Sequence, residues 1–185
     1  VTVIEAGPCV VTQVKTQRID GYEAIQVGYG LRKDKHSNKA LDGHFKKADT
    51  EAKRFLAEFI PVPDYNYKTG QKFGVSLFKE GEYVDVCGST KGRGFSGVVR
   101  RWNFAGGPKT HGQTSRHRSS GSIGAGTSPG RVWPGHKMAG HYGVDTKTVK
   151  GLRVVAADID KNVVLVRGSI PGAKNGIVRI ERQGK

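Results

Sequence analysis

Gly92-Arg93-Gly94-Phe95-Ser96-Gly97-Val98-Val99-Arg100-Arg101-Trp102 opens the stretch that divides this chain. It lies in a run from Val86 to Val144, 59 residues with no Asp or Glu and nine Lys and Arg. The same run holds 14 glycines, both tryptophans (Trp102 and Trp133) and four of the six histidines. A globular segment normally mixes both signs of charge. A surface that only repels itself calls for an external polyanion, and glycines let backbone approach that polyanion closely. Nucleic acid is the partner this composition implies.

On either side of the run the pattern is β. Val1 to Ile4, Val10 to Thr16 and Ala24 to Tyr29 read as strands, as do Phe73 to Phe78 and Tyr83 to Cys87. Leu152 to Asp158, Val163 to Arg167 and Ile177 to Ile180 follow the run, and the turn Asp158-Ile159-Asp160-Lys161-Asn162 makes the first two a hairpin. The expected fold class is mainly β with an α+β insertion. Residues 1–30, 72–90 and 144–185 would share one small β-barrel. Residues 31–71 would be the insertion and residues 91–143 a glycine-rich basic extension.

Within the insertion, residues 31–49 read as a polar surface excursion with Lys33, Lys35, Lys39, Lys46 and Lys47. One helix is expected near 50–60. Asp49 or Thr50 can cap it, Ala52, Phe55, Leu56, Phe59 and Ile60 form one apolar stripe, and Pro61 and Pro63 stop it.

The 185 residues suit one domain with a sizeable insertion, and 27 glycines are about twice the usual share. A net charge of +15 and an isoelectric point near 10.0 exceed what solubility requires. No run approaches the length of apolar residues that would cross a bilayer as a helix. The opening Val1-Thr2-Val3-Ile4 is strand-like and lacks signal-peptide character, so the natural chain is expected to begin earlier. Cys9 and Cys87 sit in apolar strand settings and read as two free thiols, as suits a reducing cytoplasm.

Gly92-Arg93-Gly94-Phe95-Ser96-Gly97 matches the dinucleotide-binding pattern, which also requires a helix next and an acid about 20 residues on for the ribose. Val98 to Trp102 is β-branched and basic, and the next acid is Asp145. The cofactor reading fails. His111, His117, His136 and His141 have no metal-ligand spacing, and no carboxylate accompanies them for acid–base work. Ser119, Ser120 and Ser122 form no nucleophile elbow. Neither catalysis, cofactor, metal nor small-molecule substrate is expected.

The basic residues are too scattered for a helical recognition face. Singly or in pairs between glycines, they suit irregular backbone threaded along phosphates. Lys91, Arg93, Arg100, Arg101, Lys109, Arg116, Arg118, Arg131 and Lys137 would neutralise phosphates. Trp102, Trp133, His111, His117, His136 and His141 would stack on bases or fill grooves. Such a segment cannot bury enough apolar area to fold alone, so it is expected to be ordered by its partner.

The run from Gly92 to Trp102, with Phe104-Ala105-Gly106-Gly107-Pro108 and His111-Gly112, resembles the signature of the bacterial large-subunit ribosomal protein L three family. So do Gly121-Ser122-Ile123-Gly124, Thr127, Pro129-Gly130-Arg131-Val132 and the block from Gly135 to Gly143. Outside the run, Gly21 to Ala24, Gly43-His44-Phe45 and Val166 to Gly172 resemble it too. The resemblance covers essentially the whole chain. It implies a six-stranded translation-protein-type β-barrel and an extension that penetrates the large-subunit RNA toward the peptidyl-transferase centre. It also implies early entry into subunit assembly and neighbouring large-subunit proteins as partners, in the cytoplasm.

The extension's apex is expected at Ser122, Ile123, Gly124, Ala125, Gly126 and Thr127. Two departures stand out. The family's N-terminal opening is absent here. Where many bacterial relatives carry a Gln that becomes methylated, this chain has Ala125, which has no amide to modify. Two other classes compete: an RNA-processing or otherwise RNA-binding protein, and an anionic-surface binder. Turnover by RNA-free protein would favour an enzyme. Binding anionic vesicles as tightly as ribosomal RNA would favour a surface binder.

Overall fold

A computed structural model describes residues 1–62 and 65–182. In chain order the strands are β1 (Thr2–Glu5), β2 (Cys9–Lys15), β3 (Ala24–Leu31), β4 (Lys53–Phe59), β5 (Lys72–Phe73), β6 (Tyr83–Ser89), β7 (Phe95–Ser96), β8 (Gly140–His141), β9 (Thr146–Asp158), β10 (Val163–Val166) and β11 (Val178–Arg182). The helices are α1 (Gln17–Asp20), α2 (Lys39–Lys47) and α3 (Val98–Trp102). The chain is thus mainly β with few helices. Its strands fall into an antiparallel sheet in the order β4-β3-β2-β5, a five-stranded sheet in the order β1-β10-β9-β6-β11, and the small pair β7-β8.

Strands from before and after the acid-free run share the five-stranded sheet, but β2 and β3, expected in the same barrel, join instead a sheet with β4 from the expected insertion. The expected hairpin is β9–β10, with Val163 opposite Asp158 and Val164 opposite Ala157. The chain divides into two compact units. One holds Val1–Asp85, Lys150–Ser169 and Arg182; the other holds Val86–Val149 and Ile170–Glu181. In the first, Val11, Phe45, Val75, Val84, Val154, Val164 and Val166 are the fully buried side chains.

The expected helix near 50–60 is wrong: those residues form β4. Phe55, Leu56, Phe59 and Ile60 fit a helical stripe, but Phe55, Ala57 and Phe59 also alternate at the strand period. β3 decides between them by offering a full edge, paired from Ile25 opposite Phe59 to Leu31 opposite Lys53. Gly28 lets the stem of buried Lys53 cross β3, since a Cβ there would come 2.7 Å from Lys53 Cγ. Pro63, one of the two expected stops, lies outside the described residues, as do 183–185 of the expected barrel.

The insertion's helix falls instead in the basic excursion. Asn38 Oδ1 accepts the Leu41 N–H at 2.8 Å, and His44, Lys46 and Lys47 occupy the last turn, where cations suit the helix dipole. Phe45, 2% exposed, packs α2 on β2. The Gln26 side chain ties the helix to the sheet, meeting His44 Nε2 at 2.8 Å and accepting the buried Thr12 hydroxyl at 2.9 Å. Past β5, the expected strand at 73–78 is cut short by a 3₁₀ turn over Val75–Leu77.

Candidate nucleic-acid interface

The acid-free run leaves β6 and returns through β9, and its two ends are tied by hydrogen bonds. Val144 N–H donates to the Thr90 carbonyl at 3.3 Å, and Thr90 N–H to the Asp145 carbonyl at 2.9 Å. Arg93 N–H donates to the Tyr142 carbonyl at 2.8 Å, and Tyr142 N–H to the Gly94 carbonyl at 2.9 Å. β7 and β8 continue the pairing, with Phe95 opposite His141 and Ser96 opposite Gly140. Gly143 makes this approach possible. It has φ +85°, and a Cβ there would lie 2.2 Å from the Lys91 carbonyl oxygen. The Arg93 guanidinium lies 5.1 Å from the Tyr142 ring centre.

Beyond this neck, α3 forms a single turn over Val98–Trp102, with Val98 buried, and Asn103 ends it in the left-handed region at φ 60°. The β-branched, basic run from Val98 to Trp102 does not predict this helix. Rejection of the dinucleotide site therefore rests on the missing acid, not on a missing helix. Arg101 and Trp102 both reach the Met138 carbonyl, with Lys137 beside the indole.

The middle of the arm folds back on itself. Gly107 N–H donates to the His117 carbonyl at 3.0 Å, and His117 Nδ1 lies 3.1 Å from the Pro108 carbonyl. A Cβ on Gly106 or Gly107 would come within 2.4 or 2.5 Å of the carbonyls of His117 and Arg116 respectively. At the expected apex the Ser122 hydroxyl donates to the Gly124 carbonyl at 2.9 Å. An open hollow there is lined by Ile123, Gly124, Ala125, Gly126 and Arg131.

No residue from 99 to 142 is buried, and every residue from 121 to 139 is exposed. Arg100, Lys109, His111, Arg116, Arg118, Arg131 and His136 stand at the surface, and Trp133 is 58% exposed. None of the four ion pairs among the described residues involves the arm. No metal-holding cluster of His, Cys, Asp and Glu occurs among them, and no helix is long and apolar enough to cross a membrane.

The structure thus brings Arg101, Trp102 and Lys137 together and pairs Arg93 with Tyr142. It spreads the remaining cations along open backbone. Sequence reasoning missed Tyr142, Gly143 and the Met138 carbonyl. The trace of them was the block from Gly135 to Gly143, whose pairing partners Phe95 and Ser96 stand far back in the chain.

A mainly β chain whose residues 91–143 carry nine cations and no carboxylate defines a strongly basic, β-rich protein. Comparison with known proteins names the kind. The family described as ribosomal protein L3 matches residues 64–161, just over half of the chain. The large ribosomal subunit protein uL3 of Herpetosiphon aurantiacus is 52% identical over 186 residues, covering 100% of this chain and 87% of that protein. Those of Prochlorococcus marinus and Thermotoga petrophila are each 50% identical, covering 97% of this chain and 82% and 86% of theirs. The chain belongs to the ribosomal protein L3 family.

Proposed function

We propose that this chain is a structural constituent of the large ribosomal subunit in the cytoplasm, bound to large-subunit ribosomal RNA through residues 91–143. It is not an enzyme, as membership of a structural ribosomal family entails. The relatives named above are large-subunit proteins, and they match 97–100% of this chain. The observation that carries the RNA assignment is the exposed, acid-free arm, whose nine cations have no carboxylate partner in their own segment.

On this reading residues 1–30, 72–90 and 144–185 supply the strands of a six-stranded barrel seated on the subunit surface, beside neighbouring ribosomal proteins. The arm threads the RNA toward the peptidyl-transferase centre, with its apex at 122–127. Early binding would help the RNA reach its assembled form. Glycines let backbone pass close to phosphates, exposed histidines and Trp133 offer ring faces to bases, and Arg and Lys neutralise the backbone.

The test is binding to a large-subunit ribosomal RNA transcript over a salt series, with anionic vesicles as the competing surface. Eight or nine phosphate contacts predict a log–log slope of about −6 to −8. A slope near zero, or equal affinity for the vesicles, would sink the reading.

A further inference from the structure

The arm's two tryptophans differ in what they already hold. Trp102 Nε1–H donates to the Met138 carbonyl oxygen at 2.8 Å, and Arg101 Nη1 donates to the same oxygen at 3.0 Å. The Arg101 guanidinium lies 4.9 Å from the Trp102 ring centre, and the Lys137 ammonium lies 5.6 Å from it. Gly140 gives Arg101 its seat, because a Cβ there would come 2.5 Å from Nη1. Trp133 has only Arg131 over its ring, at 5.0 Å, and among the described residues its indole N–H meets no acceptor.

We infer that Arg101, Trp102, Lys137 and the Met138 carbonyl form a clasp that closes before any partner arrives. Arg101 and Trp102 are then positioning residues, and the indole that faces the partner is Trp133. The inference rests on the RNA reading of the arm and revises the roles that the sequence suggested for Arg101 and Trp102.

The physical case has three parts. A carbonyl accepting a charged and a neutral donor makes one charge-assisted hydrogen bond and one ordinary one. Cations over an indole add attraction that needs no external anion. Finally, the clasp joins Trp102 to Met138, so the partner need order only the intervening loop and not both of its ends. A guanidinium committed in this way is not free to displace a counterion from a phosphate.

Two measurements on the full chain decide it. In RNA-free protein, the amides of Arg93 and Tyr142 should be protected from hydrogen exchange. Trp102→Phe, which loses only the indole donor, and Gly140→Ala, which keeps every charge, should each speed that exchange about fivefold. Against a large-subunit ribosomal RNA transcript, Trp102→Phe, Gly140→Ala and Arg101→Gln should weaken binding with the salt slope unchanged. Arg118→Gln should flatten the slope by about 0.7–0.9. Trp133→Ala should leave exchange alone and weaken binding about tenfold, as loss of one stacked base would. Unprotected amides in the free protein, or Arg101→Gln flattening the slope as Arg118→Gln does, would overturn the clasp. If the parent protein fails to bind RNA, the proposed function falls, while the exchange pattern still decides the clasp.

Discussion

Residues 1–85 and residues 86–144 are opposites in charge. The first carry thirteen Lys and Arg against twelve Asp and Glu; the second carry nine against none. The structure follows the same division. In the first, cations sit beside acids, as Lys15 does with Glu58 at 2.6 Å, and a helix seals a sheet through Phe45. In the second, hydrogen bonds tie a neck together, and from Asn103 to Tyr142 no residue is buried. A segment that balances its own charge and buries its apolar side chains can fold from its own resources. One that does neither leaves part of its ordering to a partner, which on the proposed function is RNA.

The largest expected effect attacks the arm's charge. Replacing Arg100, Lys109, Arg116, Arg118 and Arg131 with Gln should flatten the salt slope by about 4 and weaken RNA binding by about four orders of magnitude near 0.1 M salt. Thermal unfolding of the remainder should be unaffected, because these side chains stand at the surface. A variant that binds RNA normally would mean that the body, not the arm, carries the affinity.

Next is the converse. Phe45→Ala removes a ring that is 2% exposed between α2 and β2 and should destabilise the fold by about 3–4 kcal/mol. Denaturant unfolding would read that loss, while the salt slope of RNA binding stays that of the parent. A changed slope would show that the two regions do not divide the work as their charges suggest.

The division itself was legible in the sequence, because the absence of acids is a property of composition and needs no structure to be seen. The strands β2, β3, β6 and β9–β10 were legible too, since β-branched runs and turn residues mark them locally. β4 was not. Its residues suit a helical stripe as well as a strand, and only the edge of β3, more than twenty residues earlier, selects between them. α2 was hidden for the opposite reason: its exposed Lys side chains read as a loop, and Phe45 is the one buried residue it contributes. At the site, the cations and aromatic residues could be named from sequence. Their grouping could not, because the clasp depends on a backbone carbonyl at Met138 and a missing side chain at Gly140.

The smallest effect tests the claim that the first region compensates its charges locally. The Glu58 carboxyl is held below its usual range by its hydrogen bond with Lys15 first and the Tyr22 hydroxyl second, while Glu58 first and Tyr22 second push Lys15 up. A carboxyl with a depressed folded-state value adds stability above its unfolded value and loses it as pH falls through the folded one. A lysine with a raised value adds stability below its unfolded value and loses it as pH rises through the folded one. Glu58→Gln should therefore lower the melting temperature slightly at neutral pH. The gap should begin to narrow as pH falls below the usual Glu value of about 4.3. It should close once pH has fallen through the lower folded-state value, where the parent carboxyl is protonated as well. It should also narrow in high salt, since the pair is partly exposed and therefore partly screened. A gap independent of both pH and salt would assign the effect to side-chain packing. The first region's near-neutrality would then be a matter of counting rather than of contacts.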